Sequence, residues 1–199
     1  MNELNKQILS RVKKEKYGAF STSDFLDLAP YKSISKALEL MEDSKIICRA
    51  RRGIYYLSEY DATLMIYKAP SILDIATAIA RQFNWIIIPS GNYALNIVGI
   101  STQVPTKYVF VSSGPYNEYE VKNNTIIFKH ATSKEITNYS YNILIAIQAL
   151  KTIKKENVNQ DIINKLKCFL TSDDIIEIKA KRNNITSWIY ETLSKIVGE

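Results

Sequence analysis

Apolar positions recur along the chain with two different periods, and the switches between them mark its elements. Leu4, Ile8 and Val12 lie at helical spacing among lysines and glutamates, which predicts an amphipathic helix over 2–16, ended by Gly18. Within AFSTSDF, Ser21 or Ser23 is placed to cap a short helix ending near Leu28, and Pro30 then breaks the chain. Ile34, Ala37, Leu38 and Met41 stand at i, i+3, i+4 and i+7, so YKSISKALELMEDS predicts a third helix, with Ser33 as its N-cap. The pattern then turns to strand. IICRARRGIYYL reads as a hairpin with strands over 45–50 and 54–58 and a tip at Arg51, Arg52 and Gly53, where glycine permits the tight turn.

After a linker over 59–70, SILDIATAIARQFN predicts a helix with Ile72, Ile75, Ala76, Ile79 and Phe83 on its apolar face and Ser71 and Asp74 as a capping box. WIIIPSG reads as a buried strand, NYALNIVG as a short helix stopped by Gly99, and TKYVFVSSG with EYEVKNNTIIFKHA as three strands. Asn123 and Asn124 are placed as the two-residue turn between the last two of these. From Tyr139 onward four helical patterns follow. The expected architecture is α+β in two domains. A winged helix-turn-helix spans 1–60, and a small mixed α+β domain with a helical tail spans 61–199.

Charge changes this picture through its placement. The formal net charge is +6 over 199 residues, a mild excess compatible with nucleic acid. From Ser44 to Ser58, however, Lys45, Arg49, Arg51 and Arg52 occur without one acidic residue. The third helix is polarised as well. Lys32, Ser33, Ser35 and Lys36 lie at its start and Glu39, Glu42 and Asp43 at its end, which opposes the helix macrodipole and suits an N-terminal end facing phosphates and base edges. Arginines at a wing tip neutralise phosphates. The expected contacts to double-stranded DNA are therefore Lys32, Ser33, Ser35, Lys36, Arg49, Arg51 and Arg52, with Ser35 and Lys36 nearest the bases. A solvated basic hairpin is the alternative.

The remaining chemistry is sparse. Cys48 and Cys168 lack metal-ligand spacing and read as reduced, mostly buried thiols of a cytoplasmic protein. No apolar run reaches bilayer length, and the first residues lack the uninterrupted apolar region of a signal peptide. A single histidine, His130, argues against a multi-histidine zinc site. The PSG at 89–91 lacks the GxSxG pattern, and the E-x-K of Glu120 and Lys122 has no aspartate anywhere between Asp74 and Asp161 to complete a metal-dependent nuclease site. The expectation is a protein without catalytic activity, cofactor or metal.

RGIYY in the hairpin, IIPSGNYALNIVGISTQVPTKYVFVSSGP and TIIFKHA together resemble the AbiEi-like antitoxins of bacterial type IV toxin–antitoxin systems, including their DUF6088 branch, over roughly residues 5–150. The resemblance implies an antitoxin that binds operator DNA, represses its own operon and counteracts a nucleotidyltransferase-like toxin without needing to bind it directly. Lys107, Lys129 and His130 are the exposed candidates for an antitoxin surface in the second domain. A homodimer on DNA is compatible with this reading. The competing one is a free-standing winged-helix regulator whose second domain senses a ligand or dimerises.

Overall fold

The computed structural model describes residues 2–63, 65–181 and 185–197, with no side-chain detail for residue 197. The fold is α+β, and the chain forms two compact units, Met1–Trp85 and Ile86–Glu199.

The first unit opens with helix α1 (Glu3–Lys14), whose N-terminus is closed by the Asn2 side chain accepting from the Asn5 N–H at 2.9 Å. Ile8 and Val12 bury its apolar face as the spacing requires. The reversal after it is made by Lys16 in the left-handed region (φ 51°), not by Gly18. Gly18 instead leaves room for Asp74: a Cβ there would lie 2.3 Å from the Asp74 carboxyl carbon, so a larger residue would displace that side chain. Strand β1 (Phe20–Ser21) leads into a one-turn 3-10 segment, Thr22–Phe25, closed by a Ser21–Asp24 capping box. Phe20 and Phe25 meet edge to face there.

Helix α2 (Tyr31–Asp43) begins directly after Pro30, so Ser33 is not its N-cap. Pro30 fixes its own φ near the helical entry value, and its carbonyl already accepts from the N–H groups of Ser33 and Ile34, at 2.9 and 3.1 Å. The serine is therefore inside the first turn. Ile34, Ala37, Leu38 and Met41 are buried, in one core with Ile8, Val12, Phe20, Phe25, Ile47 and Tyr55. Lys45 (φ 56°) ends the helix in the left-handed conformation, and the Ile46 N–H returns to the Met41 carbonyl at 2.9 Å. Strands β2 (Cys48–Arg51) and β3 (Ile54–Tyr56) then form the expected hairpin, in a three-stranded antiparallel sheet of order β1-β3-β2.

The stretch expected as a linker holds a second hairpin, β4 (Tyr60–Asp61) with β5 (Ile66–Tyr67). Helix α3 (Ile72–Gln82) carries the expected Ser71–Asp74 capping box, but it belongs to the first compact unit, although the sequence pattern groups it with 61–199. Arg81 on α3 explains why. Its Nε donates to Asp24 Oδ1 at 2.9 Å and its Nη2 to the Ala19 carbonyl at 2.7 Å, while the Tyr17 ring lies 4.5 Å from the guanidinium. The Asp24 side chain is only 5% exposed, so this pair fastens α3 to the start of the 3-10 turn.

The second unit is built on a four-stranded sheet of order β6-β7-β9-β8, from β6 (Ile87–Ser90), β7 (Lys107–Ser112), β8 (Asn117–Val121) and β9 (Asn124–His130). β7 and β9 run parallel, and the other two pairings are antiparallel. The β8–β9 turn is Lys122–Asn123, one residue earlier than expected, because Lys122 takes the left-handed conformation (φ 53°) and Asn124 pairs with Val121. Helix α4 (Gly91–Ile97) follows β6, and α5 (Ser133–Thr137) is a further short helix. Helix α6 (Tyr141–Ile153) is buried on every side from Ile143 to Leu150, a run that is apolar except for Gln148, and α7 (Gln160–Phe169), α8 (Ser172–Ala180) and α9 (Ser187–Val197) complete the unit.

Candidate nucleic-acid interface

The first turns of α2 present Lys32, Ser33 and Lys36 to solvent, with Ser35 half-buried beside them. The buried row of Ile34, Ala37, Leu38 and Met41 sets this orientation: once that row faces the core, positions 32, 33 and 36 must face outward. Because Pro30 occupies the cap, the Ser33 hydroxyl is not committed to helix capping. Lys36 pairs with Glu39 at 3.0 Å, with both side chains more than half exposed, an arrangement that binds the lysine only weakly. Tyr31, the first residue of the helix, is 56% exposed next to Lys32 and was not among the sequence candidates. The available signal was Pro30, which marks the residue after it as a helix start.

The hairpin places its arginines unequally. Arg52 and Gly53 form the two-residue turn, with Gly53 at φ 79°, and Arg52 is exposed. The register shifts between Arg49 and Arg51, leaving Ala50 as an extra residue on β2. Arg51 lies opposite Ile54 and is half-buried. Arg49 is exposed, but it forms an ion pair with Glu42 in the last turn of α2, and its guanidinium lies 5.6 Å from the Tyr55 ring centre. Glu42 is ten residues beyond Lys32, about 15 Å along the helix axis. The structure thus joins Arg49 to the acidic end of α2, away from the basic first turn. The acidic end has a structural use, since Glu42 holds the hairpin strand and Glu39 meets Lys36.

In the second unit Lys107, Lys129 and His130 are exposed but do not converge. Lys107 pairs in register with Thr125, whereas Lys129 pairs with Val111, four residues farther along both parallel strands and hence about 13 Å away. Lys129 and His130 are consecutive on β9 and point to opposite faces. His130 Nδ1 lies 3.0 Å from the Gly114 carbonyl, which gives the ring a role in holding the β7–β8 connection.

Other residues singled out by pattern have structural surroundings. Ser90 stands at the N-cap position of α4, yet its hydroxyl donates to Gln148 Oε1 on α6 at 3.1 Å. Glu120 accepts from the Thr125 hydroxyl at 3.1 Å, and Lys122 has left the strand for the turn, so the E-x-K pair does not share a strand face. Both cysteines are free. Cys48 is half-buried, but Cys168 on α7 is exposed rather than buried, because the buried face of that helix is taken by Ile162 and Leu166. Among the described residues no three His, Cys, Asp or Glu side chains gather as a metal-ligand set, and no helix is long and apolar enough to cross a membrane.

A family model described as "Family of unknown function (DUF6088)" matches residues 7–178. No curated protein matches the sequence.

Proposed function

The chain belongs to the DUF6088 family, and from that starting point we propose that it is a DNA-binding antitoxin that represses its own operon and opposes a nucleotidyltransferase-like toxin. In this reading Met1–Trp85 is a winged helix-turn-helix. The 3-10 turn and α2 form the helix-turn-helix, α2 enters the major groove, and the β2–β3 hairpin is the wing. One observation carries it: the outward face of α2 opens on Lys32, Ser33 and Lys36, in a unit whose hairpin tip exposes Arg52. Lys36 and Ser33 read base edges, and Arg51 and Arg52 neutralise phosphates. Arg49, paired with Glu42, positions the wing rather than contacting the backbone.

The antitoxin half rests on the resemblance of the central sequence to type IV antitoxins. Co-expression with the product of a neighbouring toxin gene tests it. Residues 86–199 should restore growth without repressing the promoter, and residues 1–85 should bind promoter DNA without restoring growth. A folded 86–199 fragment that fails to rescue, or the absence of a neighbouring toxin gene, overturns the antitoxin half. A free-standing regulator is the second reading, favoured by the separation of Lys107 from Lys129, which leaves those candidates without a common patch. The proposal includes no nuclease activity. Cleavage of DNA or RNA in magnesium or manganese, abolished by Glu120→Ala, would contradict it.

A further inference from the structure

The β4–β5 hairpin exposes a run of apolar side chains. Met65, Ile66 and Tyr67 are consecutive and are 79%, 53% and 72% exposed, and Tyr60, across the strand pair from Tyr67, is 56% exposed. The two tyrosine rings lie 5.2 Å apart, so the hairpin is ordered by contact within itself. It is a two-stranded sheet with two residues in each strand, and neither outer edge has a third strand among the described residues. An isolated two-stranded hairpin is marginal in water, and an open uncharged edge is a template for another strand.

We propose that the β5 edge is a self-association site that pairs antiparallel with the same edge of a second copy of this chain. Charge selects both the edge and the occupant. A two-fold contact places a segment against itself, so the segment must tolerate its own charges. The β4 edge carries Glu59, which self-pairing would bring against a carboxylate of the second copy, while the charge of Asp61 is offset by Lys68. The β5 edge offers Met65, Ile66 and Tyr67 without charge, and Lys68 at its end is already neutralised by Asp61 of the same hairpin at 2.9 Å. In the antiparallel pair the two Lys68 residues stand at opposite ends. The patch involves far fewer than the roughly 20–30 residues a side of a standard interface, so the dimer is weak and forms at high protein concentration or where two copies are held close together.

This inference stands apart from the DNA reading and is tested without DNA. The full chain, kept reduced because Cys168 is exposed, is examined by sedimentation equilibrium from about 1 to 500 µM. The expected result is reversible growth from the 22.7 kDa monomer toward twice that mass, lost in Ile66→Asp and in Tyr67→Asp. Ile66 is solvent-exposed and outside the Tyr60–Tyr67 ring contact, so circular dichroism and melting temperature of Ile66→Asp should match the parent protein. A parent chain that stays monomeric throughout, association that survives both substitutions, or growth beyond two copies would each overturn the proposal.

Discussion

The two compact units carry the same charge and use it differently. Residues 1–85 contain 13 basic and 10 acidic side chains, and residues 86–199 contain 13 and 10 as well. In the first unit the basic residues include an acid-free run over 44–58, and the start of α2 sets Lys32 and Lys36 on one exposed face. In the second unit Lys107 and Lys129 are separated along the sheet, and Lys151 and Lys181 each meet a carboxylate, of Glu135 at 3.2 Å and Glu177 at 2.6 Å. Net charge therefore cannot tell these halves apart; register and helical phase can. A DNA reading belongs to the half whose elements concentrate the charge.

The sharpest way to test the division into units is to break what closes the first one. Arg81→Ala leaves the Asp24 carboxylate, 5% exposed, without its cation, and removes the donor to the Ala19 carbonyl. The expected loss is about 3 kcal/mol of the first unit's stability, at the lower end for a buried pair because Arg81 itself is 31% exposed. Thermal melts followed by Trp85 fluorescence in a Trp188→Phe background should register the loss, while hydrogen exchange in α6 should be unchanged. Equal destabilisation of α6 would mean that the units are not separate. For the same reason a fragment of 1–85 should fold cooperatively and one of 1–66, which lacks α3, should not.

A smaller effect tests whether α2 reads sequence. Lys36→Ala should cost about 1–3 kcal/mol of discrimination between specific and random DNA. A uniform loss across all sequences would make Lys36 a phosphate contact. Lys107→Ala or Lys129→Ala in the second unit should leave that discrimination as it is.

The smallest effect separates two serines. Ser71→Ala removes the Oγ that accepts from the Asp74 N–H at 3.1 Å and should cost about 1 kcal/mol of stability. Ser33→Ala removes no cap and should change stability by less than about 0.5 kcal/mol. A cost at Ser33 equal to that at Ser71 would restore Ser33 as a cap.

These contrasts also show what was legible in the sequence. α1, α2, α3 and α6 were readable because each buries a continuous apolar stripe or run, and burial leaves a period in the sequence. β4 and β5 were not, since two-residue strands with exposed side chains leave no such mark. Ser33 looked like a cap because serine favours that position, but Pro30 started the helix first. Asn123 and Asn124 read as the turn because asparagine tolerates positive φ better than lysine, yet Lys122 takes that conformation and the turn is Lys122–Asn123. The Arg81–Asp24 pair spans 57 residues and has no local signature. Among the candidate site residues, their identities were readable, but the diversion of Arg49 to Glu42 and the distance from Lys107 to Lys129 depend on tertiary register.

The central claim is that the first unit binds DNA through its charged helix and hairpin. Fluorescence anisotropy on a labelled duplex from the upstream region of the gene, titrated from about 50 to 200 mM salt, tests it most directly. The protein should bind with a log K that falls linearly with log salt, and Arg51→Ala with Arg52→Ala should flatten that slope by roughly two units, about 0.9 per phosphate lost. An unchanged slope in the folded double variant, or no binding by the parent protein at the lowest salt, would contradict the account.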